Sequence, residues 1–76
     1  MEKDVTVDCY GLQCPMPIIK TAQAMKTMQV GQVLELVATD AGVEKDIPAW
    51  CGKTGQEFLG LEKDGDTYRV YIKKVK

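Results

Sequence analysis

Seventy-six residues leave room for one small domain, which buries about 60% of the surface its unfolded chain exposes. A hydrophobic share of 45%, a charged share of 28% and a formal charge of −1 describe a globular chain and exclude a nucleic-acid binder driven by a strong positive field. The absence of histidine excludes imidazole acid–base chemistry, Ser–His and Cys–His nucleophile pairs and mixed Cys/His zinc sites.

The charged start Met1-Glu2-Lys3-Asp4 carries no secretory h-region, so a cytoplasmic location is expected. No apolar run approaches the ~20 residues of a membrane-spanning helix, so no membrane insertion is expected. From Asp4 to Asp8 the chain alternates with period two, Val5 and Val7 on one side and Thr6 and Asp8 on the other. This predicts a first strand with Cys9 on its buried side. Tyr10-Gly11-Leu12-Gln13 breaks the pattern, and Gly11 is the residue expected at positive φ.

Ile18, Ala22 and Met25 recur at helical spacing, predicting a helix over 15–28, with Gly31 as its left-handed end. Met16, Met25 and Met28 read as core filler. A second strand is predicted over 32–39, with Leu34, Leu36 and Ala38 on one face and Val33, Glu35 and Val37 on the other. Asp40 is the expected cap of a second helix, whose apolar face is Val43, Ile47, Trp50 and Cys51. Pro48 falls inside that pattern and is expected to bend it. A third strand is predicted over 56–62. A tight turn through Asp64-Gly65 then leads to a fourth strand over 67–74, with Tyr68, Val70 and Ile72 inward.

The order βαβαββ, with one apolar face per strand, predicts a two-layer α+β (α/β) sandwich formed as a single domain over 1–76. It has a four-stranded mixed sheet and both helices on one face. Thr6, Val33, Val37, Phe58 and Tyr71 are assigned to the open face, a surface suited to a partner contact or a weak dimer; a monomer is equally compatible. The tail Lys73-Lys74-Val75-Lys76 reads as protection of a sheet edge.

Three cysteines without a secretory signal argue against a disulfide framework. Cys14 precedes Pro15, which pushes it toward the extended geometry of a helix cap, with Pro15 first in the helix and Pro17 in its first turn. A thiol there meets the positive end of the helix dipole, one way to make a cysteine nucleophilic. The bland reading is a neutral cap in an exposed turn. With no histidine in the chain, thiol–disulfide exchange or sulfur transfer fits better than acyl transfer. Cys9 and Cys51 read as small buried hydrophobes. Cys9 is also a candidate second thiol across the Cys-x₄-Cys spacing, if the two Cα atoms come within about 7 Å. A metal site from three cysteines at these spacings is not expected.

The run Asp8-Cys9-Tyr10-Gly11-Leu12-Gln13-Cys14-Pro15-Met16-Pro17 resembles the Asp-x-x-Gly-Leu-x-Cys-Pro-x-Pro signature of the TusA/SirA/YedF-like sulfurtransferases. Thr39-Asp40, Asp46-Ile47-Pro48-Ala49-Trp50-Cys51 and Thr54-Gly55 are similar to a second block of that family, so the likeness covers nearly the whole chain. Gln56 stands where many members have histidine and Ala41 where many have proline.

The resemblance implies the sheet order 1-2-4-3. It implies that Cys14 accepts sulfane sulfur as a persulfide, with no resident cofactor, and passes it to a partner protein. Asp8, Gly11, Leu12, Pro15 and Pro17 would shape the site, and Asp40 is a minority candidate for a supporting role; for Asp8 two roles are open, a hydrogen bond to the turn leading to Cys14 or that of an ordinary outward strand-end residue. Donors implied are cysteine desulfurases or rhodanese- or DsrE-like proteins. Acceptors lie in tRNA thiolation, molybdenum-cofactor assembly or sulfur oxidation, and thiosulfate use would bring contact with a membrane transporter. Direct nucleic-acid binding is not implied. The rival readings are a thiol–disulfide redox module using Cys9 and Cys14, and a non-catalytic adaptor or regulator.

Overall fold

A computed structural model of the chain describes residues 3–13 and 15–76. Among the described residues the order is β1 (Val5–Cys9), α1 (Met16–Thr27), β2 (Val33–Ala38), α2 (Val43–Thr54), β3 (Glu57–Asp64) and β4 (Thr67–Lys73). The sheet runs β1-β2-β4-β3, with β1 parallel to β2 and β4 antiparallel to both its neighbours. The two crossovers step in the same direction across the sheet, so crossovers of one hand put both helices on one face. The α+β sandwich and the order 1-2-4-3 expected above are the observed architecture.

The core lies between that face and the helices. Leu34, Leu36 and Ala38 of β2 and Val70 and Ile72 of β4 are fully buried, and α2 adds Val43, Ile47 and Cys51. Each large apolar side chain so buried contributes about 1.5–3 kcal/mol relative to exposure. Val5 and Val7 of the edge strand β1 pack partly against the cluster, as does Trp50 of α2.

Several element ends differ from expectation for identifiable reasons. Pro15, not Cys14, occupies the cap position of α1 at φ −97° and ψ 11°, because its carbonyl accepts the first intrahelical bond, from the Ile19 N–H at 3.1 Å. Pro17 becomes the second helical residue and is buried. At its other end α1 stops at an extended Met28, so Gly31, at φ +98°, serves the turn before β2 and not the helix end. Lys74 Nζ donates to the Met25 and Met28 carbonyls at 2.6 and 2.8 Å, placing a cation at the negative end of the helix. The tail is therefore not edge protection, since β4 is an inner strand. Met16 is exposed and does not fill the core.

Asp40 does not cap α2. Its Oδ1 accepts the Gly42 N–H at 2.9 Å in a turn ahead of the helix, and Gly42 holds the cap position. Pro48 lies inside a continuous α2, and the carbonyl it leaves unpaired belongs to Glu44, an exposed residue that water can serve. In β3 the register shifts between Phe58 and Gly60, which leaves Leu59 as a bulge. Phe58 consequently pairs with Ile72 on the helix side instead of facing out from the open side.

The open face carries a buried carboxylate. Glu35 Oε1 meets Lys3 Nζ at 2.7 Å and Oε2 accepts from Tyr71 Oη at 2.9 Å, while Thr6 Oγ1 reaches Oε1 at 3.5 Å. Glu35 and Tyr71 are both about 5% exposed. The bond from Lys3, reinforced by Tyr71, lowers the Glu35 pKa below its ordinary 4.5, while burial opposes the shift.

A depressed folded-state pKa adds stability above the unfolded value, and that stability is lost as pH falls through the folded one. Glu35→Gln should therefore be less stable than wild type near neutrality. The gap should close between about pH 5 and pH 3 in urea titrations; a gap constant across that range would show that the carboxylate charge contributes nothing.

Candidate functional site

Parallel pairing of β1 and β2 sets Cys9 beside Ala38, so both strands end at one edge of the sheet, where ligand sites of parallel strands collect. The turn leaving β1 is tied down at three successive N–H groups. The Tyr10 N–H donates to Asp8 Oδ1 at 3.0 Å, the Gly11 N–H to Thr39 Oγ1 at 3.0 Å and the Leu12 N–H to the Cys9 carbonyl at 3.0 Å. Gly11 sits at φ +78° with open space where a Cβ would stand, so glycine is required there by backbone conformation and not by crowding. Leu12 packs half-buried against the core, and the Gln13 carbonyl accepts the Met16 N–H at 2.9 Å.

Asp8 thus bonds the turn, the first of the two roles open to it. Thr39, which the sequence names only within the second family block and without a role, holds the turn from the end of the neighbouring strand. The parallel register was the signal for Thr39: the residue following β2 must stand next to the residues following β1.

Two clefts flank this edge. One of about 460 Å³ is lined by Gly11, Leu12 and Gln13 on one side and Thr39, Asp40 and Ala41 on the other. The second, of about 390 Å³, runs between α1 and α2 and is lined by Pro15, Ile18, Asp46, Ala49, Trp50 and Lys53. Gln13 borders the first and Pro15 the second. The residue joining them in the chain, Cys14, lies outside the described residues. Asp8, Gly11, Leu12, Pro15 and Asp40 all stand at this edge, whereas Pro17 points into the interior.

The other two thiols sit in the apolar core. Cys9 is fully buried and Cys51 is 3% exposed, both as free cysteines. Burial pushes the Cys51 thiol up to about 11. Burial also raises Cys9, helped by Asp8 and partly offset by the Lys20 ammonium. A thiolate is the reactive form of cysteine, so neither position favours chemistry at neutral pH.

Residues 5–74 match the family model of the sulfurtransferase TusA. YrkF of Bacillus subtilis (strain 168) is 45% identical over 74 residues, covering 97% of this chain but 40% of that protein, so the chain spans about two fifths of that relative's length. The sulfur carrier protein TusA of Allochromatium vinosum is 38% identical over 71 residues, which is 93% of each chain. Among solved structures, a SirA-like protein from Desulfitobacterium hafniense superposes with a TM-score of 0.82 at 23% identity, covering 96% of this chain and all of that one.

A rise of Cys51 from 9.0 to about 11 lowers its thiolate fraction roughly a hundredfold. Native alkylation at neutral pH, followed by peptide mass spectrometry, should accordingly find Cys51 and Cys9 almost unmodified and both readily modified in guanidinium. Rapid native labelling of either would contradict the burial described.

Proposed function

The chain belongs to the sulfurtransferase TusA family, and from that premise we propose that it is a sulfur carrier that takes up sulfane sulfur on Cys14 and hands it to a partner protein. The observation that supports the reading best is the arrangement at the β1–β2 edge. A turn with three successive N–H groups held runs to Gln13, which lines one open cleft, and Pro15 lines another, while Cys9 and Cys51 are withdrawn into the core.

The transfer conserves electrons. A Cys14 thiolate attacks the outer sulfur of a donor persulfide; the new S–S bond forms as the donor's S–S bond breaks, and the donor thiolate leaves. Delivery is the same exchange in reverse, with an acceptor thiolate as nucleophile. Such exchange needs no imidazole and no bound cofactor from this chain, and the donor and acceptor supply any further proton handling. The donor is a protein persulfide of the desulfurase, rhodanese or DsrE type. The acceptor belongs to thiolation, cofactor assembly or sulfur oxidation, with thiosulfate use as the route that would involve a membrane transporter. The site of action is the cytoplasm. Complete burial of Cys9, with its thiol pushed up, weighs against the rival redox module.

Incubation with a cysteine desulfurase and cysteine should add the mass of one sulfur atom to the Cys14 peptide, removable by dithiothreitol. Cys14→Ser should abolish the gain and Cys9→Ala should retain it. Equal uptake by Cys14→Ser would sink the proposal.

A further inference from the structure

We propose that Thr39 is a positioning residue for the sulfur-bearing loop, acting through its bond to the Gly11 N–H; this deepens the sulfur-carrier reading and rests on it. Of the three bonds that hold residues 10–12, two are local. Asp8 and the Cys9 carbonyl belong to the end of the strand from which the turn itself springs. They hold the turn to β1 and reach β2 only through the pairing of the two strands. The bond from Gly11 to Thr39 spans 28 positions and ties the turn to the end of β2. Both of its partners line the cleft between residues 11–13 and 39–41, so the bond joins the two walls directly.

The bond is also suited to positioning more than to stability. Gly11 is exposed and lies at φ +78° with open space around it. If the hydroxyl is removed, water can satisfy the freed N–H, so the fold loses little. The turn, however, loses its fixed reference to the neighbouring strand. Exchange between two sulfurs needs an aligned approach, and small misplacements of a reacting group cost rate steeply. The chain departs from β2 through Thr39 directly into Asp40, whose carboxylate folds over the Gly42 N–H, so the wall on which Thr39 stands is itself braced.

The test compares wild type with Thr39→Val, which keeps the branched shape without the hydroxyl, and Thr39→Ser, which restores the hydroxyl without the methyl. Sulfur loading of Cys14 is measured at increasing concentrations of a cysteine desulfurase with cysteine in excess, alongside melting temperature and hydrogen exchange at the Gly11 amide. Thr39→Val should melt within a few degrees of wild type, exchange the Gly11 amide faster, and load roughly tenfold more slowly at saturating donor. Its half-saturating donor concentration should change little. Thr39→Ser should recover most of the rate and of the amide protection. Wild-type loading by Thr39→Val, or equal slowing in both variants, overturns the proposal. If the wild-type chain itself takes no sulfur on Cys14, the sulfur-carrier reading fails. Gly11 exchange then still decides whether Thr39 holds the turn, and unchanged exchange in Thr39→Val overturns that as well.

Discussion

The parallel pairing of β1 with β2 is the constraint from which the rest follows. A parallel pair cannot be joined by a tight turn, so a helix must cross between them, and α1 does so. Parallel strands also end at the same edge, so the turn after Cys9 and the turn after Ala38 come side by side. Each then enters a helix, which gathers two strand ends, two helix starts and the cleft between them in one place. A shift of β1 by one residue would send Val5, Val7 and Cys9 to the open face and separate Gly11 from Thr39. The apolar face of β1 therefore fixes the site as firmly as any residue in it.

Burial sorts the three thiols. Cys9 and Cys51 serve as small apolar side chains in a core whose largest fully buried side chains are Leu34, Leu36, Ile47 and Ile72, and desolvation keeps both protonated. That division suits a carrier, because stray persulfides on core cysteines would insert an extra atom into close-packed surroundings. A chain without histidine can still relay sulfur, since the exchange exploits only a thiolate and an approachable partner sulfur. Its small body leaves the edge beyond the strands open on both sides, toward the polar cleft and toward the apolar groove beside Trp50.

The layers of the fold were legible wherever one periodicity dominated. Alternation in β2 and β4 marked Leu34, Leu36, Val70 and Ile72, and helical spacing placed Val43, Ile47 and Cys51 on one face; all are buried. Features that depend on pairing between distant segments were not legible. The bulge at Leu59 rotates Phe58 out of its predicted face only through its register with β4. Burial of Glu35 arises because Lys3 and Thr6, at the start of the chain, and Tyr71, near its end, converge on it. The cap of α1 shifted from Cys14 to Pro15 because a backbone carbonyl decides it, and the sequence shows side chains. At the candidate site Gly11 was legible from its residue type, while Thr39 needed the strand register.

The central claim is a complete relay through one thiol, and a labelled single turnover tests it most directly. The chain would be loaded from a desulfurase with ³⁵S-labelled cysteine, separated from the donor, and mixed with a protein acceptor thiol of the sulfur-relay type. The label should first reside on the Cys14 peptide alone and then leave it for the acceptor in equal amount. Label found on Cys9 or Cys51, or label that stays on the chain when acceptor is added, would contradict the account.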